Sequence, residues 1–446
     1  MRIVIKNGQV VNSKGVMCKN VYIDGEKFSA PFENADMEID AQGMCVFPGV
    51  IDCSTHICQE RDGVRTVDDF YDASRAAVTA GTTMFISVII QGKNEMPLDC
   101  INEVKKIAAK TAGVDFSFHL QYTDINEDSL MQLPAAIKMG ITSVKVFLSG
   151  GKSGFKIRDS QLLRMMELSK KMGFTLSVHA ENDDFIEANE EKLIKQGKKD
   201  IRYYSFSRPV FSEVEAVGKA LNYCEEAGNK IHLSHLSSEK ALDKVMSYKN
   251  IAQPETCIHY LTFDDTKFNE IDAYKNVMTP PLRKPRDIEA LWSGVGRDDI
   301  KIISSDHCPY MPEQKKQEYF DKIPLGVPGI EHLMPVVYSE GVAKNRISIC
   351  DMVRVLCENP ARIFGIPNKG RIQEGYDADF VIFNPNMVYK VSSDNIQSKC
   401  GYSLYEDMVL TGKTIMTGVR GNIVYNDGNI EVKKGAGKFI KRHIPN

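Results

Sequence analysis

Short apolar runs recur along the middle of the chain, at 83–89, 116–120, 143–148, 175–179, 230–233 and 300–304. Each is bounded by polar or glycine-containing segments and is short for a helix, so each predicts a buried strand. Between them apolar residues return at helical spacing, as in 161–168 with Leu162, Leu163, Met165, Met166 and Leu168. This alternation runs from about 47 to about 364 and predicts a parallel sheet. Its length suits a (β/α)8 TIM-like barrel with insertions.

The two ends follow another rhythm. Residues 1 to about 47 read as short strands separated by turn signals at Asn7-Gly8, Ser13-Lys14-Gly15 and Asp24-Gly25. Strand patterns return after Phe364, at 378–383, 413–416 and 421–425. Because these β-rich ends flank the barrel, they are expected to pair into one small β-sandwich, which brings the termini together. The expected organisation is α/β: sandwich from 1–47, barrel from 48–365, and the rest of the sandwich with a tail from 366–446. The tail at 435–446, carrying Lys438, Lys441 and Arg442, reads as a flexible or partner-clasping arm.

Composition narrows the class. The 446 residues are 43% hydrophobic and 26% charged with a net charge of −3, the balance of a globular protein without a field for polyanions. Nucleic acid is therefore not an expected partner. The opening Met1 to Gly8 alternates into a strand and turn, unlike a signal peptide, and no apolar run reaches membrane-spanning length. No membrane partner is expected. Eleven cysteines without a framework of spacings fit a reducing compartment, so the cytoplasm is the expected location.

Four chemistry-bearing residues lie at or near the ends of predicted strands: Lys145 in Val144-Lys145-Val146-Phe147, His179 in Val178-His179-Ala180-Glu181, His235 in His232-Leu233-Ser234-His235, and Asp306 in Ser305-Asp306-His307-Cys308. A metal ion needs nitrogen and oxygen donors from distant segments brought to one point, and the strand ends of a barrel do that. His179 and His235 each close a strand and open a polar loop. His119, His232, His259, His332 and His443 are read instead as core residues with a satisfied hydrogen bond. Asp306 can hold a divalent ion and carry a proton, or it can be a plain helix cap. Lys145 points into a barrel interior where an ammonium is costly to desolvate, which favours the neutral amine. Such an amine takes up carbon dioxide to form a carbamate able to bridge two metals. The alternative is a lysine that reaches a carboxylate.

Taken in order, several motifs resemble the cyclic amidohydrolases, the group that includes hydantoinase, dihydropyrimidinase and allantoinase. They are Pro48-Gly49-Val50-Ile51-Asp52, the strand Lys145, His179-Ala180-Glu181-Asn182, His235-Leu236-Ser237-Ser238, Glu255-Thr256-Cys257-Ile258-His259-Tyr260-Leu261, Thr279-Pro280-Pro281-Leu282-Arg283 and Asp306-His307-Cys308-Pro309. Asn359-Pro360-Ala361-Arg362-Ile363-Phe364-Gly365 and Gly375-Tyr376-Asp377-Ala378-Asp379 are similar to that group's return from barrel to sandwich. The motifs span nearly the whole chain. The resemblance implies a binuclear, usually zinc, centre bridged by carboxylated Lys145. His179 and His235 would hold one ion; His56, the residue two before it and Asp306 would hold the other. It further implies a small-molecule substrate, a metal-bound hydroxide that attacks a ring amide carbonyl, Asp306 as proton shuttle, an N-carbamoyl or ureido acid as product, and a homodimer or homotetramer. Gly150, Thr279 and Leu325 would stand around the substrate.

Three positions depart from that pattern. Ser54 replaces the first histidine of a His-x-His pair ending at His56, and a hydroxyl is a poor zinc ligand. Cys53 and Cys58 are adjacent and a cysteine could in principle substitute, but alternation along a strand should point Cys53 to the side opposite Ser54 and His56. Ser149-Gly150-Gly151 occupies the loop where hydantoinases carry a tyrosine for the oxyanion, and Leu325 replaces an asparagine. Loss of an oxyanion donor costs about 10²–10³ in rate. Allantoinases lack that tyrosine too, and the two glycines offer backbone N–H groups in its place. Two readings follow: a metal-dependent hydrolase of a cyclic amide or ureide, or a non-enzymatic relative of the dihydropyrimidinase-related scaffold kind. A deaminase on the same barrel is a third, although its usual site lacks the strand lysine. Arg208 and Arg283 are either substrate anchors or salt-bridge partners.

Overall fold

A computed structural model of the chain describes residues 1–61 and 63–445. Eight parallel strands stand in sequence order: Val50–Thr55, Thr82–Gln91, Asp115–Tyr122, Ser143–Phe147, Thr175–His179, Ile231–Leu233, Ala252–Cys257 and Ile302–Ser304. The sheet closes where Thr55 bridges His307 in parallel and the His56 N–H donates to the His307 carbonyl at 2.8 Å. Closure makes the sheet a barrel and carries the first and last strand ends to one rim.

The strands form here because both faces are covered. Thr82–Gln91 reads TTMFISVIIQ and is buried along almost its entire length, the near-continuous apolar run of a parallel strand. Outside it, helices turn one stripe inward. Asp159–Met172 buries Leu162, Met165, Met166 and Ser169, and it stops at Gly173, whose φ of 78° is the left-handed conformation a helix end favours.

The chain ends do pair. Cys45–Pro48 runs antiparallel to Phe380–Lys390, from Phe380 opposite Pro48 to Phe383 opposite Cys45, and parallel to Gln9–Asn12. A four-stranded sheet of Lys27–Phe28, Val21–Asp24, Arg2–Lys6 and Met37–Asp40 faces this seven-stranded one. Ile3, Ile5, Ile23, Val46, Phe380 and Ile382 fill the space between them. A buried lysine ties this sandwich to the barrel. Lys369 Nζ lies 2.8 Å from Asp115 Oδ2, at the start of the third barrel strand, and 2.6 Å from Asp379 Oδ2.

The tail corrects one expectation. It is neither loose nor reaching outward, but docked beneath the third barrel strand. The Phe116 N–H donates to Lys438 O at 3.0 Å and the Ile440 N–H to Phe116 O at 2.8 Å, as an added strand would. Phe439 packs on Phe116 and Phe118 at 5.9 Å between ring centroids. Arg442 is 1% exposed and donates to Ser117 Oγ and the Phe118 carbonyl. Its charge suggested solvent, yet the open barrel floor offers oxygens that only a long donor reaches. Asn446 lies outside the described residues.

Candidate active site and metal centre

Lys145 sits in the fourth strand, its neighbours Val144 and Val146 turned into the outer core. Its side chain therefore faces the barrel interior, and the residue is 3% exposed. The amine lies 5.3 Å from the Phe147 ring centroid and has no hydrogen-bond or ion-pair partner among the described residues. A buried polar group without a direct partner is costly, which leaves a place for a further group on this nitrogen.

Two pairs of donors flank it. His179 closes the fifth strand, its ring stacked on Phe147 at 4.5 Å between centroids. Its Nε2 lies 2.9 Å from Ser149 Oγ and 3.1 Å from Glu181 Oε2, while Nδ1 lies 3.0 Å from His235 Nε2. A carboxylate can only accept, so His179 carries its proton on Nε2 and turns the Nδ1 lone pair toward His235. Burial keeps His179 below the usual histidine range against the pull of Glu181, and burial beside His179 and Lys145 holds His235 well below it. Both imidazoles are thus held neutral, the form that ligates.

The second pair joins the barrel's first and last strand ends. His56 Nε2 lies 3.2 Å from Asp306 Oδ1. Its Nδ1 lies 2.8 Å from Gln59 Oε1, and the Gln59 amide nitrogen in turn donates to the Val88 carbonyl, so the His56 proton sits on Nδ1. Burial opposes the charge of Asp306, but its neighbours His56, His235 and Lys145 hold its carboxyl well below the usual range. His235 and Asp306 have φ of 38° and 47°, left-handed backbone that costs a non-glycine residue about 1–3 kcal/mol. Such strain gathers at sites where side-chain aim matters more than backbone ease.

These donors fit divalent ions. Separations of 3.0 and 3.2 Å are those of two ligands each about 2.0–2.2 Å from one ion. No cluster of three or more histidine, cysteine or acidic side chains able to hold a metal occurs among the described residues. Each pair needs a further donor. Lys145 lines the same cavity as His56, His179, His235 and Asp306, and a carbamate there would serve both.

The departures are visible in the same place. Ser54 Oγ donates to Asp306 Oδ1 at 3.1 Å, so a hydroxyl fills the seat of the first histidine. Cys53 packs with Ile51, Met84, Ile86 and Ile302 in another cluster, as alternation requires. Thr279 and Leu325 line the cavity. Gly150 lines a second cavity that shares Tyr310 and Leu325 with the first, and its N–H is committed. Gly150 N–H donates to Asp183 Oδ1 at 2.8 Å and Gly151 N–H to the same atom at 3.3 Å. The reason is the tight turn at Gly150, with φ of 86°, whose carbonyl accepts from Ser153 and Phe155 and faces its N–H toward Asp183.

Arg208 and Arg283 resolve as salt-bridge partners. Arg208 Nη1 donates to Glu181 Oε2 at 2.8 Å, and Thr279 Oγ1 donates to the same oxygen at 2.6 Å. Burial opposes the charge of Glu181, yet Arg208 and His179 hold its carboxyl well below the ordinary range. Arg283 lies 3.7 Å from Glu213 and donates to Ser237 Oγ. His119 and His332 are satisfied core residues as expected, through Ser143 with Cys53 and through Ser403. His259 departs: it is buried and neither ring nitrogen has a partner. Sequence reasoning missed Glu181, Gln59 and Gln121. Glu181 stood two residues after His179 in the motif, and that spacing was its available signal.

The pattern of the Amidohydrolase family matches residues 45–424. D-phenylhydantoinase of Escherichia coli (strain SE11) is 33% identical over 460 residues, covering 99% of this chain and 98% of that protein. Dihydropyrimidinase from Brevibacillus agri NCHU1002 superposes with a TM-score of 0.98 at 32% identity over 100% of both chains. L-hydantoinase (dihydropyrimidinase) from Arthrobacter aurescens gives 0.91 at 28% identity over 99% of both. The chain belongs to the amidohydrolase family. Within it, the hydantoinase and dihydropyrimidinase group is the one it resembles along its full length.

Proposed function

We propose that this chain is a metal-dependent hydrolase that opens a cyclic amide or ureide of the hydantoin, dihydropyrimidine or allantoin type. One observation carries the reading: a buried Lys145 amine without a hydrogen-bond or ion-pair partner among the described residues lines one cavity with two donor pairs, and the donors within each pair stand about one ion's width apart. Carboxylated Lys145 with His179 and His235 would hold one divalent ion, zinc by the nature of its donors, and carboxylated Lys145 with His56 and Asp306 the other. When bound, such ions supply Lewis acidity toward a carbonyl and water ionised near neutral pH.

The protein's own groups supply the rest. Asp306, held ionised, accepts a proton from the attacking water and returns it to the ring nitrogen that leaves. The C–N bond breaks, the carbonyl carbon gains the water oxygen and the nitrogen gains the proton, giving an N-carbamoyl or ureido acid. Ser54 fixes the carboxylate's rotation through its hydroxyl. Glu181, clamped by Arg208 and Thr279, fixes the tautomer and tilt of His179. Phe147, Phe155, Met278 and Leu325 form apolar walls that limit water. The substrate is a small molecule. Phe185 and Phe211, exposed and packed edge to face at 5.0 Å between ring centroids, offer an apolar surface for the homodimer or homotetramer.

A scaffold without chemistry is the second reading, favoured by Ser54 at a ligand seat and by the committed Gly150 N–H. Turnover against hydantoins, dihydropyrimidines, allantoin and open-chain ureides, with zinc, manganese or cobalt added, separates the two. Ring opening of at least one class is expected. No bound divalent ion at any stoichiometry and no turnover across the panel would leave the scaffold.

A further inference from the structure

Gln121 is the polar cavity residue that the mechanism leaves unused. It lies in the third barrel strand, directly opposite Lys145 of the fourth in the parallel ladder. Residues in register on adjacent strands project to the same face, so both side chains enter the barrel interior, and both line the cavity that holds His56, His179, His235 and Asp306. Gln121 is 1% exposed, and its amide nitrogen has no acceptor among the described residues. A buried donor left unmade is costly, and native folds rarely carry one without a partner to come. The Lys145 ammonium cannot be that partner, because it has three donors and no acceptor. A carbamate on the same nitrogen can, since it adds two anionic oxygens to the cavity that both residues line.

We propose that Gln121 is a positioning residue that donates a hydrogen bond to the carbamate on Lys145 and so stabilises and aims it. The inference rests on the reading that Lys145 is carboxylated. In that step the neutral amine nitrogen adds to the carbon of carbon dioxide. One C=O electron pair moves to oxygen, the amine proton leaves to water, and –NH–COO⁻ results. No oxidant or reductant enters. The Gln121 N–H then meets one carbamate oxygen, a hydrogen bond to a charged acceptor, the stronger kind. The position has a particular use in this chain. With Ser54 in a ligand seat, one ion has a weaker donor set, and retention of that ion depends more heavily on a carbamate fixed in place.

The test uses full-length protein stripped of metal and bicarbonate, then titrated with ¹³C-bicarbonate at fixed zinc, without substrate. Two readings are taken: the ¹³C carbamate resonance and bound zinc per chain. Gln121→Met is expected to need roughly tenfold more bicarbonate than the unaltered protein for half-maximal loading. Gln121→Glu, which sets a like charge beside the carbamate, is expected to need more still. Equal midpoints for Gln121→Met and the unaltered protein, with the resonance present in both, would overturn the role of Gln121 alone. Absence of the resonance in the unaltered protein would overturn the carboxylation reading, and this inference with it. Should the variants not fold, crystals of the unaltered protein grown with zinc and bicarbonate decide: the Gln121 amide against a carbamate oxygen supports the role, and an amide turned elsewhere refutes it.

Discussion

Ser54 concentrates the residue-scale question. Its hydroxyl donates to Asp306 at 3.1 Å, in the seat where an imidazole would put a lone pair on the same ion. Replacing it by histidine, Ser54→His, is expected to raise bound metal toward two per chain, measured by elemental analysis after dialysis against zinc. Unchanged stoichiometry would mean that the ligand seat is elsewhere. Lys145, His179, His235 and Asp306 were legible in the sequence because each lies at or near the end of an apolar run, where a polar group has no packing reason to be, whereas His56 was legible only through the resemblance. Others were illegible for physical reasons. Glu181 acquires its role from Arg208, which is 27 residues away, and from Thr279 at 98. Gly150 looked free because nothing local shows that Asp183, 33 residues on, takes its N–H.

At the scale of elements, the cavity walls are loops, and a single lysine pins two of them. Lys315 ends the short helix Pro312–Lys315 and is fully buried. It donates to Val277 O at 2.7 Å, to Pro324 O at 3.2 Å and to the Gly326 carbonyl. Those carbonyls flank Met278, Thr279 and Leu325, so the clamp ties together two segments of the cavity wall. Lys315→Met leaves three buried acceptors unmade, a loss of a few kcal/mol. The expected result is a KM raised several-fold with kcat less affected, and an unchanged KM would refute the clamp. Burial also pushes Lys315 down to about 7. Above that pH the folded amine is neutral while the unfolded chain keeps its proton up to the ordinary lysine range. The unfolded state then binds the extra proton, so stability gains as pH rises through this window, and Lys315→Met loses that gain. Nothing within 312–316 shows that the carbonyls of Val277, Pro324 and Gly326 converge on Lys315.

For the whole molecule, the rhythm of the chain foretold the architecture because period and run length are direct consequences of burial on one face or two. We propose domain limits near 47 and 365: strand Cys45–Pro48 belongs to the sandwich and Val50–Thr55 to the barrel, with Gly49 alone between them. A Cβ at Gly49 would meet Thr83 at 2.2 Å and Asp379 at 2.8 Å, so only glycine passes the junction. The tail escaped the reading because Lys438, Lys441 and Arg442 suggest solvent, whereas Phe439, Ile440 and a buried Arg442 seal the barrel floor. No helix among the described residues is long and apolar enough to cross a membrane.

The account stands on Lys145 as the shared support of the metal centre. Zinc per chain, measured on the unaltered protein and on Lys145→Ala prepared identically with bicarbonate, tests it most directly. The expected result is one to two ions in the former and essentially none in the latter, with turnover lost in step. Full metal content and full turnover in Lys145→Ala would contradict the account.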